Sequence, residues 1–314
     1  MTNKETIRQI LKLYISSIII YGLGILIFRF LPYYKKLLNP ITQNILFYIY
    51  IAYLVIAPIY YKFTVNQFSE NKPLLFIRGI IRLFKEFKLK KKEKVAMLFM
   101  LVKVFYLPLL VQFFIGNFTS LIKWNSFQWY PFIFTLMFTI DTFVYAAAYA
   151  FEFKELKNVV KSVEPTFFGW FVALICYPPF NGWVGKYVAW GANDYVSFWN
   201  PTWTLIMRII IVFLLFIYVA ATVALGPKSS NLTNRGIVSR FPYNIIRHPA
   251  YISKNLLWWA TLLPVIKWQF ALGMTVWSLI YFFRAITEEN HLSQDFDYVR
   301  YKWKVKYKFI PFVY

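Results

Sequence analysis

The stretch WTLIMRIIIVFLLFIYVAATVAL, residues 203–225, runs for 23 positions with a single charged side chain, Arg208. A helix rising about 1.5 Å per residue carries such a run across a hydrocarbon layer of about 30 Å. Runs of similar character recur at about 11–31, 41–61, 95–122, 127–151, 166–190, 250–266 and 268–286, which brings the number of candidate spans to eight. Composition agrees, since 59% of the 314 residues are hydrophobic and only 15% are charged, against about a quarter in soluble chains. The expectation is an all-α fold, a polytopic integral membrane helical bundle of about eight transmembrane helices. The segment 166–190 is the least regular, because Pro178-Pro179 removes backbone donors in its middle.

Charge sets the expected orientation. Thirty-five Lys and Arg against 13 Asp and Glu give +22, which in a soluble protein points to nucleic acid. Here the cations lie between apolar runs, so the expected partners are the bilayer and its anionic head groups, and no nucleic acid. With eight crossings and a cytoplasmic N-terminus, 27 Lys and Arg fall on the cytoplasmic side and six on the other. A re-entrant 166–190 would give 18 and 15. The positive-inside bias therefore selects eight crossings with both termini cytoplasmic. Within the basic loop at 62–94, Lys85, Lys88, Lys90, Lys91, Lys92 and Lys94 alternate with Leu83, Phe84, Phe87 and Leu89. That pattern predicts a short amphipathic helix on the inner leaflet, with anionic lipid head groups at 82–94. Lys4, Arg8 and Lys12 precede a first run that carries no cleavage signature, which predicts an anchored first helix.

Soluble-enzyme motifs are missing. Gly22-x-Gly24 lies inside the first apolar run, so neither a dinucleotide turn nor a phosphate loop is present. One cysteine, Cys176, excludes an internal disulfide. Two histidines without further support predict no metal site. Both histidines, His248 and His291, lie in the last 70 residues with Glu288, Glu289, Asp295 and Asp297. Arg247-His248-Pro249-Ala250-Tyr251 opens the seventh run, where proline suits a first helical turn. Arg284 and Glu288 are four residues apart and share a helix face. Taken singly, that pair is an interfacial ion bridge, His248 a helix-start residue, and Tyr298, Tyr301, Trp303 and Tyr307 an interfacial aromatic belt.

Jointly these pieces resemble the isoprenylcysteine carboxyl methyltransferase family and its relatives among integral-membrane phospholipid methyltransferases. The resemblance rests on Arg247-His248-Pro249-x-Tyr251, on Arg284-x-x-x-Glu288-Glu289, and on Tyr298-x-x-Tyr301-x-x-x-Val305 followed by Pro311. Ser253 departs from it, standing where the family usually has glycine. The resemblance implies S-adenosylmethionine as cofactor, held by Arg247, His248, Pro249, Tyr251, Glu289, Tyr298 and Tyr301. It implies Arg284 and Glu288 as the catalytic pair, and a lipid or prenylated acceptor at the cytoplasmic face. The chain would then divide into N-terminal transmembrane helices at 1–202 and a catalytic membrane core with a cytoplasmic C-terminal segment at 203–314.

Two other readings stay open at this point. The closing residues 305–314 also resemble membrane sterol and steroid reductases, which bind NADPH. Lys103, Asp141, Arg208 and the Pro178-Pro179 break suit a membrane transporter, because ionisable groups inside a bilayer are costly to keep without a use.

Overall fold

The structure, a computed structural model, describes residues 3–65, 70–124 and 128–313. Positions 66–69 of the basic loop, residue 127 at the start of the fourth run and Tyr314 lie outside the described residues. Twelve α-helices are present among them: α1 Asn3–Phe30, α2 Pro32–Leu37, α3 Pro40–Thr64, α4 Lys72–Glu86, α5 Lys91–Ile122, α6 Trp129–Ala150, α7 Phe167–Leu174, α8 Phe180–Val184, α9 Pro201–Leu225, α10 Pro249–Leu262, α11 Trp268–Leu292 and α12 Phe296–Lys304. One two-stranded ladder joins β1, Ser162–Val163, to β2, Thr233–Asn234. The chain packs as two units, Met1–Ile115 and Gly116–Tyr314.

Among the described residues six helices, not eight, are long and apolar enough to cross a membrane: Lys4–Phe30, Pro40–Thr64, Lys91–Ile122, Trp129–Ala150, Pro201–Lys228 and Trp268–Leu292. The other two expected spans are shorter as helices for a visible reason. At 166–190 the chain breaks into α7 and α8 on either side of Pro178-Pro179, whose ring nitrogens donate nothing to a helix ladder. At 250–266 the regular helix stops after 14 residues and tightens into a 3-10 turn, Leu263–Val265, at Pro264.

In the first unit, α1 exposes Ile7, Leu11, Ile15, Ile19 and Leu23 at four-residue spacing. An outward apolar stripe of this kind is stable with lipid as its solvent. The opposite side buries Leu13 against Ala57 and Tyr61, and Asn71 links α1 to Tyr61 of α3 by donating to Leu13 O (3.1 Å), Ser17 Oγ (3.0 Å) and Tyr61 Oη (2.9 Å). Lys103 lies over the Tyr21 ring at 4.8 Å. The amphipathic helix expected over 83–94 instead occupies Lys72–Glu86. Phe87, at φ 51° in the left-handed region, ends it, and Glu93 starts α5 by accepting from the Lys90 amide (2.9 Å) and Arg82 (3.1 Å).

In the second unit, α9 buries Met207, Ile211, Leu215 and Val219, one stripe at four-residue spacing, against Tyr130 and Phe134 of α6 and Leu257 of α10. Its other faces leave Ile209, Phe213 and Phe216 exposed. Contacts fix which ends lie together. Tyr130, at the start of α6, donates to Asp194 O (2.7 Å), and a Cβ on Gly273 would stand 1.9 Å from Ala189 O. The chain at 189–194 therefore lies beside the starts of α6 and α11. Residues 161–164 lie at the opposite end, laddered to 232–234. The broken segment with α7 and α8 thus runs from one end of this unit to the other.

Gly273 carries a direct consequence. Gly273→Ala drives a methyl into a backbone carbonyl, and we expect a loss of about 1–3 kcal/mol, the usual cost of overpacking. Gly24→Ala meets nothing within 4 Å and is expected to be neutral or slightly stabilising, as for Gly to Ala in any helix interior. Thermal unfolding in detergent compares the two.

Candidate active site

The end of the second unit that carries β1 and β2 also gathers the start of α10, the end of α11, α12 and the C-terminal tail. His248 stands at the N-cap of α10 with Pro249 in the first turn, where a missing amide hydrogen costs nothing. The tail is fastened beside it. Arg247 N donates to Tyr307 O and His248 N to Lys308 O, both at 3.0 Å. The Arg247 guanidinium adds bonds to Val305 O (2.8 Å) and Lys306 O (2.6 Å).

Successive glutamates on α11 point about 100° apart around the helix, and they take different partners. Glu289 turns toward the tail. Its carboxylate accepts from Arg247 Nε (2.7 Å), contacts His248 Nε2 (3.1 Å) and pairs with Lys308 Nζ (3.4 Å). The side chains of Arg247, His248, Glu289 and Lys308 are 9, 6, 6 and 13% exposed, so this is a buried network, able to hold its geometry only while the carboxylate is present. Tyr298 and Tyr301 pack with Val305 under the tail, and Tyr301 Oη donates to Tyr243 O (2.7 Å). Burial pushes both phenols above their ordinary value, with Glu289 and Glu288 adding to the rise.

Glu288 faces a cavity instead. It accepts from Tyr251 Oη at 2.6 Å, and Tyr251 stacks on the His248 ring at 5.4 Å. Arg284 lies over the Tyr251 ring (5.2 Å) and also over Tyr177 and Tyr281 (5.8 Å each). Its guanidinium donates to Asn231 Oδ1. Among the described residues no ion pair joins Arg284 to Glu288, so the simple i,i+4 bridge is not what the two residues form. Glu164, Asn231, Tyr251, Arg284, Glu288 and His291 line the cavity, which measures about 30 Å³, room for a water or two.

Three of these cavity residues were absent from the sequence-based site. Asn231 and Glu164 come from irregular backbone, brought in by the β1–β2 ladder. Leu232, between Asn231 and Thr233, is held at φ 64°, a left-handed conformation costing a side-chain-bearing residue about 1–2 kcal/mol, and its carbonyl accepts from Glu164 N (2.7 Å). His291 Nε2 contacts Ser162 Oγ (2.9 Å), and Nδ1 lies 3.9 Å from Glu164. Elsewhere in the unit, Asp141 accepts from Tyr218 (2.9 Å) and Thr222 (2.6 Å), while Arg208 lies over the Tyr130 ring at 4.9 Å.

Asp295, the N-cap of α12, pins the ladder to this end by accepting from Lys161 Nζ and Asn234 Nδ2, each at 2.9 Å. Burial alone would raise its carboxyl, but these bonds and the Asp297 amide outweigh that and hold it below its ordinary value. The Asp295 bond in turn holds Lys161 above its own. A depressed carboxylate stabilises above its unfolded pKa of about 3.9 and loses that contribution as pH falls through the folded value. A raised lysine stabilises below about 10.4 and loses its contribution as pH rises beyond it. Hydrogen-exchange protection at 161–164 and 232–234, corrected for intrinsic rates, is therefore expected to be flat between about pH 5 and 9 and to fall on either side. A steady decline through neutrality would assign the clamp to another group.

A comparison with curated proteins returned no match. A comparison with family models returned one described as Phospholipid methyltransferase, over residues 196–298. That stretch, about a third of the chain, contains α9, α10 and α11 with Arg247, His248, Pro249, Tyr251, Arg284, Glu288, Glu289 and Tyr298, leaving out Tyr301. In this stretch the integral membrane protein is similar to the phospholipid methyltransferases, a family of membrane enzymes that methylate lipids.

Proposed function

We propose that the chain transfers a methyl group from S-adenosylmethionine to a lipid or prenylated acceptor at the cytoplasmic face, with both termini cytoplasmic. Residues 203–314 would form the catalytic core, resembling isoprenylcysteine carboxyl methyltransferases, and 1–202 the accompanying helices, with 82–94 against anionic head groups. The observation that carries this reading is the shared cavity of Arg284, Glu288 and Tyr251, inside the stretch that matches the family.

The donor set fits the cofactor. Two carboxylates, Glu164 and Glu288, face one guanidinium, Arg284, with tyrosine faces around it. Such a lining suits a ligand bearing a sulfonium, an ammonium and one carboxylate. It suits the polyanionic NADPH less well, since two acidic groups would face its phosphates. When bound, the cofactor supplies a methyl on an already activated sulfonium, so the chain needs no nucleophile of its own. Arg284, protonated at any working pH, offers a fixed positive charge to the acceptor. Glu288, oriented by Tyr251, offers negative potential close by. Arg247, His248, Pro249, Glu289, Tyr298 and Tyr301 stand outside that lining, in the adjoining network that fastens the tail, and would meet the parts of the cofactor that extend beyond the cavity. Because the cavity holds only about 30 Å³, ligand binding would require lining such as the 230–233 loop to shift.

Ligand linkage tests the cofactor directly, since a ligand at about 100 times its Kd stabilises by about 2.7 kcal/mol. S-adenosylhomocysteine is expected to raise the melting temperature of the purified protein and NADPH to leave it unchanged. Stabilisation by NADPH alone would transfer the site to reductase chemistry.

A further inference from the structure

Glu164 lies in the irregular segment between α6 and α7 and is only 4% exposed. It stands outside the helices able to cross a membrane and outside the stretch 196–298 that matches the family. Its main chain is held on both sides, since the amide donates to Leu232 O (2.7 Å) and the carbonyl accepts from Trp170 Nε1 (2.8 Å). The carboxylate is gripped by one oxygen. Oε1 accepts from the Thr166 amide (3.0 Å) and from the Thr166 hydroxyl, while the side chain rests on Gly169, where a Cβ would overlap Glu164 Cγ.

Oε2 has no such donor among the described residues. It pairs with His291 Nδ1 at 3.9 Å, beyond hydrogen-bond length, and the other nitrogen of that ring meets Ser162 Oγ at 2.9 Å. Glu164 lines the cavity with Arg284 and Glu288, but the polar groups of those two are turned elsewhere. Arg284 donates to Asn231, and Glu288 takes the Tyr251 hydroxyl. The positive charge of Arg284 in the same lining eases the burial of Glu164, yet it leaves Oε2 without a hydrogen bond, which a buried carboxylate oxygen needs. A glutamine would keep both Thr166 bonds, so the fold accounts for the grip on Oε1 and not for the charge presented at Oε2. A cationic donor accounts for it, and an ammonium has three N–H groups to offer. Glu164 and the 230–233 loop both lie outside the crossing helices, so this side of the cavity is reached from water, by a soluble ligand.

We infer that Glu164 Oε2 receives the α-ammonium of the cofactor's amino-acid end, and that the segment between α6 and α7 thereby selects the intact cofactor over truncated nucleosides. The inference rests on the methyl-transfer reading for the identity of the cofactor, but binding alone tests it. Full-length protein in detergent is titrated calorimetrically with three ligands. These are S-adenosylhomocysteine, its deamino analogue, which lacks only that nitrogen, and methylthioadenosine, which lacks the whole amino-acid end. Glu164→Gln, which retains an acceptor for Thr166, is expected to weaken S-adenosylhomocysteine by about tenfold or more, the loss of one charge-assisted hydrogen bond. The other two ligands should keep their wild-type Kd. In the wild type the deamino analogue should itself bind about tenfold or more weakly than S-adenosylhomocysteine, a comparison that requires no variant to fold.

Equal affinity of wild type and Glu164→Gln for S-adenosylhomocysteine would overturn the inference, as would a deamino analogue that binds the wild type equally well. An equal loss for all three ligands would also overturn it, by making Glu164 a support of the cavity wall. Each of these outcomes leaves the cofactor reading standing. Failure of the wild type to bind S-adenosylhomocysteine at all would overturn that reading and this inference together.

Discussion

Glu289→Ala is expected to lower the stability of the protein by about 3–5 kcal/mol, the usual cost of breaking a buried ion network by removing one side of it. The carboxylate meets Arg247, His248 and Lys308 together. Without it, buried cationic groups are left facing one another. The damage should be local as well as global, because Arg247 also holds the tail through Val305 O and Lys306 O. Limited proteolysis of the tail should therefore accelerate in Glu289→Ala at temperatures where the remainder stays folded. Glu289→Gln retains the shape and loses the charge, so it is expected to fall between the wild type and alanine. A melting temperature unchanged in Glu289→Ala would mean that the network contributes nothing and that the tail is held by its backbone bonds alone.

Arg284→Ala and Glu288→Gln are expected to lower methyl incorporation by about 10²–10³ each, the range for deleting one preorganised electrostatic contact in a water-poor site. Their combination should cost less than the product, since both act on one reacting centre. Both residues face the cavity that Tyr251 shares, but the proposed reaction gives them different work, and the kinetics should separate them. Arg284 is expected to affect the acceptor, with its loss read against acceptor concentration. Glu288 is expected to affect the rate at saturation, because its oriented carboxylate offers potential rather than a binding surface. Glu288→Gln keeps a group able to contact the Tyr251 hydroxyl, so its folded state should survive. Turnover at wild-type rates in both variants would reduce the pair to structural residues.

Much of the architecture was legible as segment lengths. The 203–225 run corresponds to α9, Pro201–Leu225, because apolar length and the absence of interior proline leave no other element to form. Pro178-Pro179 marked the break in 166–190, and Pro264 marked the end of α10 equally openly but was read through, so eight helices became six. The basic 83–94 pattern mixed two elements. Phe87 in a left-handed conformation and the Glu93 cap separate them, and neither is visible in hydrophobic spacing.

Within the site, legibility tracked distance along the chain. Tyr251, Arg284, Glu288 and Glu289 stand out in the sequence because they sit at helix ends with recognisable spacing, but that spacing could not say that adjacent glutamates take separate partners. Asn231 and Glu164 reach the cavity through a ladder of two residue pairs joining 162–163 to 233–234, a contact with almost no local signature. Lys308 was hidden in a run of alternating lysines, of which it is the one that turns in to Glu289.

Incubation of the purified protein with methyl-labelled S-adenosylmethionine and a total lipid extract tests the central claim most directly. The account predicts label in the lipid fraction with the wild type and a loss of about 10²-fold or more with Arg284→Ala. Wild-type protein that binds S-adenosylhomocysteine but leaves every lipid unlabelled would contradict it.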